Sequence, residues 1–270
     1  PAMGGGQADQ RTDESKDSCL APEECDMSKY DIYLYENSTV LKNKLNITDE
    51  AALDKAEADL AKANMILLYD SGFSDFSPSG VCKIHQALFG DIYEWAGQYR
   101  TINIQKREPL LAGKSVWYSN WDDIDRDLSE VWQNIDAVDW NGLSQEDFVK
   151  NVTRFFSAIW QVHPFREGNT RTTVMMIALF AEHNGYYFDY DLMEASAGYV
   201  RNSLVLCCFG EHSEYEHLER ILMDAICTEP IEDSDDDAEE SMPDDRMAKY
   251  EKYHTKDYKP SPHEYVEEEE

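Results

Sequence analysis

A short polar segment, followed at once by a long apolar run, places the strongest constraint on the fold of this chain. The segment reads His163-Pro164-Phe165-Arg166-Glu167-Gly168-Asn169-Thr170-Arg171-Thr172, and apolar side chains dominate residues 174–181. A glycine-containing loop that feeds a buried helix is suited to bind an anion, because the first N–H groups of a helix have no partner inside it. The loop also carries proton-transfer and metal-binding groups, so the segment predicts phosphate-ester chemistry.

Two side chains of the segment could carry the reaction. His163 precedes a proline, which moves its backbone out of the helical region, and an imidazole that titrates near neutral pH suits proton abstraction from a hydroxyl. Glu167 is a hard oxygen ligand, and Mg²⁺ is commonly held by one or two carboxylates together with phosphate oxygens and water. The alternatives are a structural histidine and a glutamate that only interacts with the helix dipole.

The neighbouring residues suit an anion. Gly168 lets the backbone approach phosphate closely, and Arg171 offers a forked cation. Asn169 can donate its amide to a phosphoryl oxygen, can cap the helix, or can do both. We expect Phe165 to be buried and to fix the loop to the core.

The segment closely resembles the signature loop of the Fic family, whose pattern is H-P-F-x-(D/E)-G-N-G-R-x-x-R. Residues 84–100 and Val40–Leu45 add to the resemblance, which runs from about Tyr30 to about Thr228. It implies an all-α Fic-type helical bundle with a short β-hairpin flap. It also implies transfer of AMP from ATP to a Tyr, Ser or Thr hydroxyl of a target protein, with Mg²⁺ as cofactor.

The resemblance also assigns roles to residues. His163 would be the base and Glu167 the metal ligand. The nucleotide would be bound by Arg166, Gly168, Asn169, Thr170, Arg171 and, through an aromatic contact with adenine, Tyr199.

Residues 99–112 match the family's flap. Alternating polarity over Arg100–Ile104 predicts a strand, with Leu110–Ala112 as its antiparallel mate. The strand edge would pair with an extended segment of the target. The docking residues would be Thr101, Ile102, Asn103, Ile104 and Lys106, although Lys106 and Arg107 could equally be ordinary loop cations.

The chain departs from the family pattern at two positions. Thr170 replaces a glycine, and a β-branched residue restricts the close approach of phosphate. Val174 replaces a second arginine that would contact the γ-phosphate. The family's inhibitory motif, (S/T)-x-x-x-E-(G/N), has no convincing match, which favours inhibition by a separate antitoxin-like protein or no inhibition of this type. Rival functions are transfer of another nucleotide or phosphate-linked group, removal of AMP, and a non-catalytic binding module.

The net charge and the cysteine spacing argue against several classes of function and site. The 270 residues carry a formal charge of −31, which argues against binding nucleic acid or anionic membranes. The six cysteines include no C-x-x-C pair, so we expect free thiols in a reducing compartment. We find no signal peptide and no apolar run that could span a membrane. The predicted location is the cytoplasm, with delivery into another cell as an alternative.

The same patterns divide the chain. Residues 1–28 are interpreted as a tag remnant and a disordered acidic N-terminus, residues 29–228 as the Fic domain, and residues 229–270 as an acidic disordered tail. Apolar spacing predicts a helix over Leu53–Leu67 capped by Thr48, and further helices over 79–97, Trp117–Ile135, from the motif to Gly185, 190–206 and 213–227. A helix is also predicted to begin after Ser144, because residues 144–147 resemble a capping box and apolar residues follow on one face: Val149, Val152, Phe156 and Ile159.

Overall fold

The computed structural model describes residues 31–231, and the predicted all-α class is confirmed. The helices are α1 (Glu50–Tyr69), α2 (Pro78–Phe89), α3 (Ile124–Asp136), α4 (Gln145–Val162), α5 (Asn169–His183), α6 (Tyr190–Ala195), α7 (Ala197–Cys207) and α8 (Glu216–Ala225). Two short strands, β1 (Tyr187–Phe188) and β2 (Ile226–Cys227), pair antiparallel. Over residues 31–231, a search for helices with the length and hydropathy to cross a bilayer finds none.

Helix α4 forms the centre of the bundle. Ser144 caps its first turn by accepting a hydrogen bond from the Asp147 N–H at 3.1 Å, as predicted. The residues predicted to form its apolar face are all buried: Val149, Val152, Phe156 and Ile159. The helix packs against α3, α5, α7 and α8. The motif loop, which follows its C-terminal end, therefore begins inside the core.

Helix α5 follows the loop and is apolar on nearly every side. Residues 175–181 are buried, and the helix packs between α2 and α4. It ends at His183 with Asn184 as its C-cap, and Gly185 takes a left-handed φ of 86°, which confirms the predicted stop. Since α5 is held on several sides, its N-terminus is fixed in space.

The buried face of α1 differs from the prediction. Asp49, not Thr48, caps the helix, and Leu53, Glu57, Ala61 and Leu68 are buried, whereas Leu67 is 69% exposed. The apolar spacing missed this face because a glutamate, Glu57, lies within it.

Four other helix predictions need correction. Helix α2 ends at Phe89, and residues 91–97 form successive turns. Helix α3 begins at Ile124, seven positions later than predicted. The single helix predicted over 190–206 is two helices, α6 and α7, that meet at Ser196, and the last one, α8, is shorter than the predicted 213–227.

The flap over residues 99–112 is an irregular loop and not a β-hairpin. Pro109–Leu111 forms a single 3₁₀ turn, and the Glu108 N–H donates to the Lys114 carbonyl at 3.0 Å. Pro109 has no N–H to offer a ladder. Arg100, which produced part of the alternating pattern, is 1% exposed and belongs to the core.

Candidate active site

His163 lies where α4 ends, with φ 51° and ψ 60°. The backbone leaves the helical region as predicted, but it enters the left-handed region instead of the extended one. The Nδ1 atom lies 3.1 Å from the Trp160 carbonyl oxygen. A carbonyl only accepts, so Nδ1 carries the proton and the lone pair lies on Nε2. Within residues 31–231, Nε2 is buried and has no hydrogen-bond partner, as expected for a base that awaits a substrate hydroxyl.

The surroundings of His163 keep it neutral. Burial is the main cause that lowers its pKa well below the usual value, and the Lys106, Arg100 and Arg201 cations lower it further. Tyr118 stacks on the imidazole with ring centroids 4.1 Å apart. The Arg100 Nε donates to the His163 carbonyl at 2.8 Å, which fixes the backbone of the loop. The imidazole is therefore a neutral, oriented proton acceptor at pH 7.

Glu167 lies at the other end of the loop, beside a cation. Its Oε1 accepts from the Gly168 N–H at 3.1 Å, and its Oε2 lies 3.4 Å from the Lys106 ammonium. Burial alone would raise its pKa, but Lys106, the Gly168 N–H, Arg171 and Arg166 together hold the pKa below the ordinary value. The carboxylate is thus ionised, and Lys106 stands where a metal cation would be attracted.

Gly168 and Asn169 shape the start of α5. Gly168 has a φ of 81°, and a Cβ there would lie 2.5 Å from the Phe89 ring. Asn169 is buried; its Oδ1 accepts from the Phe165 N–H at 3.0 Å and its Nδ2 donates to the Phe165 carbonyl at 2.8 Å. Asn169 therefore closes the loop. Phe165 is fully buried, as predicted.

The side chain of Thr170 turns inward. Its Oγ1 accepts from the Trp160 indole N–H at 3.0 Å, so the hydroxyl does not face the anion site. The backbone N–H groups of the first turn of α5 remain the donors that can receive phosphate.

Both arginines predicted to bind phosphate are paired with carboxylates. The Arg166 Nε donates to Asp31 at 2.8 Å, and Arg171 forms an ion pair with Glu57. The Arg171 guanidinium also lies 4.7 Å from the centroid of the Phe89 ring. A polar cavity of about 520 Å³ opens beside these groups and beside Glu167. For a nucleotide to bind these arginines, its phosphates would have to replace Asp31 and Glu57 as their partners.

Tyr199 is not placed for an adenine contact. It is 6% exposed on α7, and its hydroxyl donates to the His217 carbonyl at 3.1 Å, so its ring belongs to the core between α7 and α8. An aromatic on a helix is most often a core residue, so this position does not favour the adenine role of Tyr199, which stays a prediction. Val174 is half-buried and lines an apolar cavity of about 480 Å³ between α1, α6 and α7.

Five flap residues were predicted to dock a target. Among the contacts of residues 31–231, Lys106 is the one of these five that reaches the motif loop, through Glu167. The Thr101 N–H donates to the Tyr33 hydroxyl at 3.1 Å, and the Ile102 carbonyl accepts from Arg100. Asn103 accepts from the Trp121 N–H at 2.8 Å. Ile104 is half-buried. These contacts hold the segment as a loop, and its role in docking a target stays a prediction.

Comparison with known proteins identifies the family. The Fic/DOC family matches residues 75–181. A probable protein adenylyltransferase from Sinorhizobium fredii is 31% identical over 168 residues, which cover 59% of this chain and 80% of the relative. The chain belongs to the Fic/DOC family.

Other relatives agree with this assignment. A protein adenylyltransferase from Bartonella henselae is 30% identical over 209 residues, but the match covers only 38% of that protein and 74% of this chain. A solved Fic domain of a VirB-translocated effector from Bartonella quintana, with bound ADP, is 25% identical, with a TM-score of 0.61 over 72% of this chain and 94% of the other. The fold and the motif are therefore those of a Fic domain, while the chain spans little over a third of the B. henselae protein.

The Fic domain has a further site residue that the sequence analysis missed. His85 on α2 is fully buried, accepts from the Gly97 N–H through Nδ1 at 2.8 Å, and lies 3.0 Å from the Glu167 carbonyl through Nε2. Because Nδ1 is an acceptor here, Nε2 carries the proton and donates to Glu167. The ring also stacks on Phe165 at 3.8 Å. His85 therefore positions the loop beside Glu167. In the sequence, His85 was marked only by its place in residues 84–100, the second stretch that resembles the family.

The neutral state of His85 predicts how stability depends on pH. Burial lowers the pKa of His85 to about 4 in the folded chain. Its contribution to stability is therefore complete above the unfolded pKa near 6.5 and is lost as the pH falls toward the folded value. Between pH 7 and pH 5 this loss is about 2 kcal/mol, at 1.36 kcal/mol for each pKa unit.

His85→Gln keeps a donor for the Glu167 carbonyl but cannot be protonated. We expect the free energy of unfolding of this variant to fall by about 2 kcal/mol less than that of the wild type between pH 7 and pH 5. Urea denaturation of both proteins at the two pH values, without metal, measures the difference. Equal losses in the two proteins would show that His85 is not buried in its neutral form.

Proposed function

We propose that this Fic domain transfers AMP from ATP to a Tyr, Ser or Thr hydroxyl of a target protein. The observation that carries the proposal is the buried, unprotonated Nε2 of His163, which has no hydrogen-bond partner among residues 31–231. It lies a few residues before a helix start that offers N–H donors. The names of the relatives from S. fredii and B. henselae support the same activity.

The reaction needs one proton acceptor and one anion site. The target oxygen attacks the α-phosphorus of ATP, the bond from that phosphorus to the bridging oxygen of the β-phosphate breaks, and pyrophosphate leaves. The proton of the target hydroxyl goes to Nε2 of His163, while Nδ1 stays bonded to the Trp160 carbonyl. The first N–H groups of α5 stabilise charge on the α-phosphate by position and electrostatics.

The residues fit a divalent cation at Glu167. The carboxylate is ionised, half-buried and already attracts the Lys106 ammonium, so a cation is favoured at this place. Mg²⁺ is commonly held by one carboxylate with phosphate oxygens and water, and it would neutralise phosphate charge when bound. Lys106 would leave Oε2 as the metal-bound nucleotide enters.

The two arginine pairs predict which phosphates the site holds. Arg171 can exchange Glu57 for an inner phosphate, while Val174 offers no cation to the γ-phosphate. This supports binding of ADP alongside ATP, and the B. quintana relative was solved with ADP. Inhibition by a small antitoxin-like protein stays a prediction.

The compartment is also a proposal. The B. quintana relative is described as a VirB-translocated effector. For this chain we propose a cytosolic place of action, in its own cell or after delivery into another. The cysteines of the described residues are free thiols, which fits a reducing compartment.

The metal role of Glu167 has a direct test. Glu167→Gln keeps the shape of the side chain and its contact with the Gly168 N–H but removes the charge. We expect AMP transfer to labelled target proteins to fall sharply and to recover in part at high Mg²⁺ or Mn²⁺. The matched control is Glu146→Gln, which alters a first-turn glutamate of α4 that is paired with Lys150 far from the loop. If Glu167→Gln left the metal dependence unchanged, Glu167 would be only a helix-start residue.

A further inference from the structure

Trp117 is the most exposed large hydrophobic side chain of the described residues, at 88%. Its backbone is nevertheless held, because its carbonyl accepts from the Gln161 amide at 3.3 Å. The next residue, Tyr118, stacks on the catalytic imidazole of His163. An exposed indole on a held backbone, beside the active site, is typical of a contact point for another molecule.

A groove of about 360 Å³ lies beside Trp117. One wall is α3, with Asp127, Glu130 and Val131, and the other is the end of α4, with Ala158 and Val162. Its lining therefore combines two carboxylates with a short apolar floor. The lining includes Tyr118 and Val162, so the groove runs up to the residues that flank His163 in space and in sequence.

The charge of the groove selects its occupant. Residues 121–136 contain six acidic residues and one arginine, and the lining itself contains no lysine or arginine. Asp127 is already bonded to the Ser119 hydroxyl and to Arg126. The Glu130 carboxylate has no hydrogen bond or ion pair with the described residues, so it is open to a cation from outside.

We propose that this groove, hereafter the Trp117 groove, binds an arginine-bearing basic segment of the protein that accepts AMP. A guanidinium can stack on the indole face, donate to the Glu130 carboxylate, and lay its methylene stem on Val131 and Ala158. The acidic lining disfavours nucleic acid, an anionic membrane or a second copy of this acidic chain. An extended segment advances about 3.3 Å per residue, so the arginine would lie a few residues from the modified hydroxyl.

This inference rests on the proposed function for the identity of the partner, but its test needs no catalysis. The probe is a short glycine–serine peptide with adjacent arginines, compared with the same peptide carrying glutamates. The readout is the indole N–H resonance of Trp117 in ¹⁵N-labelled protein, assigned by its loss in Trp117→Phe. We expect the arginine peptide to shift this resonance and the glutamate peptide to leave it unchanged. The shift should be smaller at high salt.

Matched variants separate the groove from general attraction to an acidic protein. Calorimetric titration measures the affinity of every variant, since the Trp117 resonance is lost in one of them. Trp117→Ala and Glu130→Gln should each weaken binding of the arginine peptide about tenfold. Trp121→Ala and Asp136→Asn should not, because Trp121 is exposed at 46% outside the groove and Asp136 ends the same helix outside it. All four positions are exposed, and melting curves confirm that the variants fold.

Two results would overturn the proposal. One is the absence of any Trp117 shift with the arginine peptide, and the other is an equal loss of affinity in the test and control variants. Binding of ADP, measured in the same samples, reports on the proposed function independently. A protein that binds the peptide in the groove but neither ADP nor ATP would therefore contradict the proposed function and leave the Trp117 groove standing.

Discussion

Replacing His163 by asparagine should lower the rate of AMP transfer about 10²- to 10⁴-fold, the usual contribution of a general base. Asparagine tolerates the left-handed backbone found here, and its amide can still donate to the Trp160 carbonyl. What it lacks is the basic lone pair at the position of Nε2. The loss should therefore lie in the rate and not in ADP binding.

Two controls accompany this variant. His183→Asn changes a histidine at the far end of α5, whose ring packs on Phe76, and should leave transfer unchanged. In the wild type, transfer should stay near its neutral-pH rate as the pH falls through 6.5, because burial and nearby cations lower the pKa of His163. If His163→Asn labelled targets as fast as the wild type, His163 would not be the general base.

The second large effect is expected at Gly168. An alanine Cβ would lie 2.5 Å from the Phe89 ring at a φ of 81°, so either the ring or the helix start must move. Overpacking of a closed core costs about 1–3 kcal/mol, and the strained backbone adds to it. The displaced N–H groups should also weaken ADP binding by about tenfold or more, the equivalent of one hydrogen bond to a charged group.

Gly185→Ala is a control that separates the effect of backbone strain from the effect of the clash between a Cβ and the Phe89 ring. Gly185 has a similar φ of 86°, but a Cβ there meets no atom within 4 Å. This variant should lose a smaller part of the free energy of unfolding and none of the ADP affinity. Adding Phe89→Leu to Gly168→Ala should restore part of the ADP affinity. Urea denaturation and calorimetric titration measure the two quantities, and equal effects in the two glycine variants would refute the clash with Phe89.

The features that the sequence predicted correctly are local ones. The cap at Ser144, the buried face of α4 and the stop at Gly185 depend on residues within a few positions of one another. The roles of His163 and Glu167 as base and metal ligand stay predictions, but both side chains lie in geometry that suits them. A short segment of sequence therefore carried most of the information about the centre of the site.

The missed features depend on distant partners. Arg171 pairs with Glu57, 114 residues away, and Arg166 pairs with Asp31, 135 residues away. Nothing in the motif indicates these partners. Arg100 was placed in a strand by its local pattern, but its guanidinium donates to the carbonyls of Ile102, Ser119 and His163 and is buried by the tertiary fold. Tertiary contacts override local propensity at such positions.

The most direct test of the account follows the α-phosphate of ATP. The protein is incubated with Mg²⁺, a cell extract as the source of targets, and ATP labelled either on the α- or on the γ-phosphate. If His163 directs a hydroxyl to the α-phosphorus, the α-label becomes attached to protein while the γ-label is released with pyrophosphate, and neither label is attached by His163→Asn. Attachment of the γ-label to protein would contradict transfer of AMP by this site. The absence of any protein labelling that depends on His163 would contradict it as well.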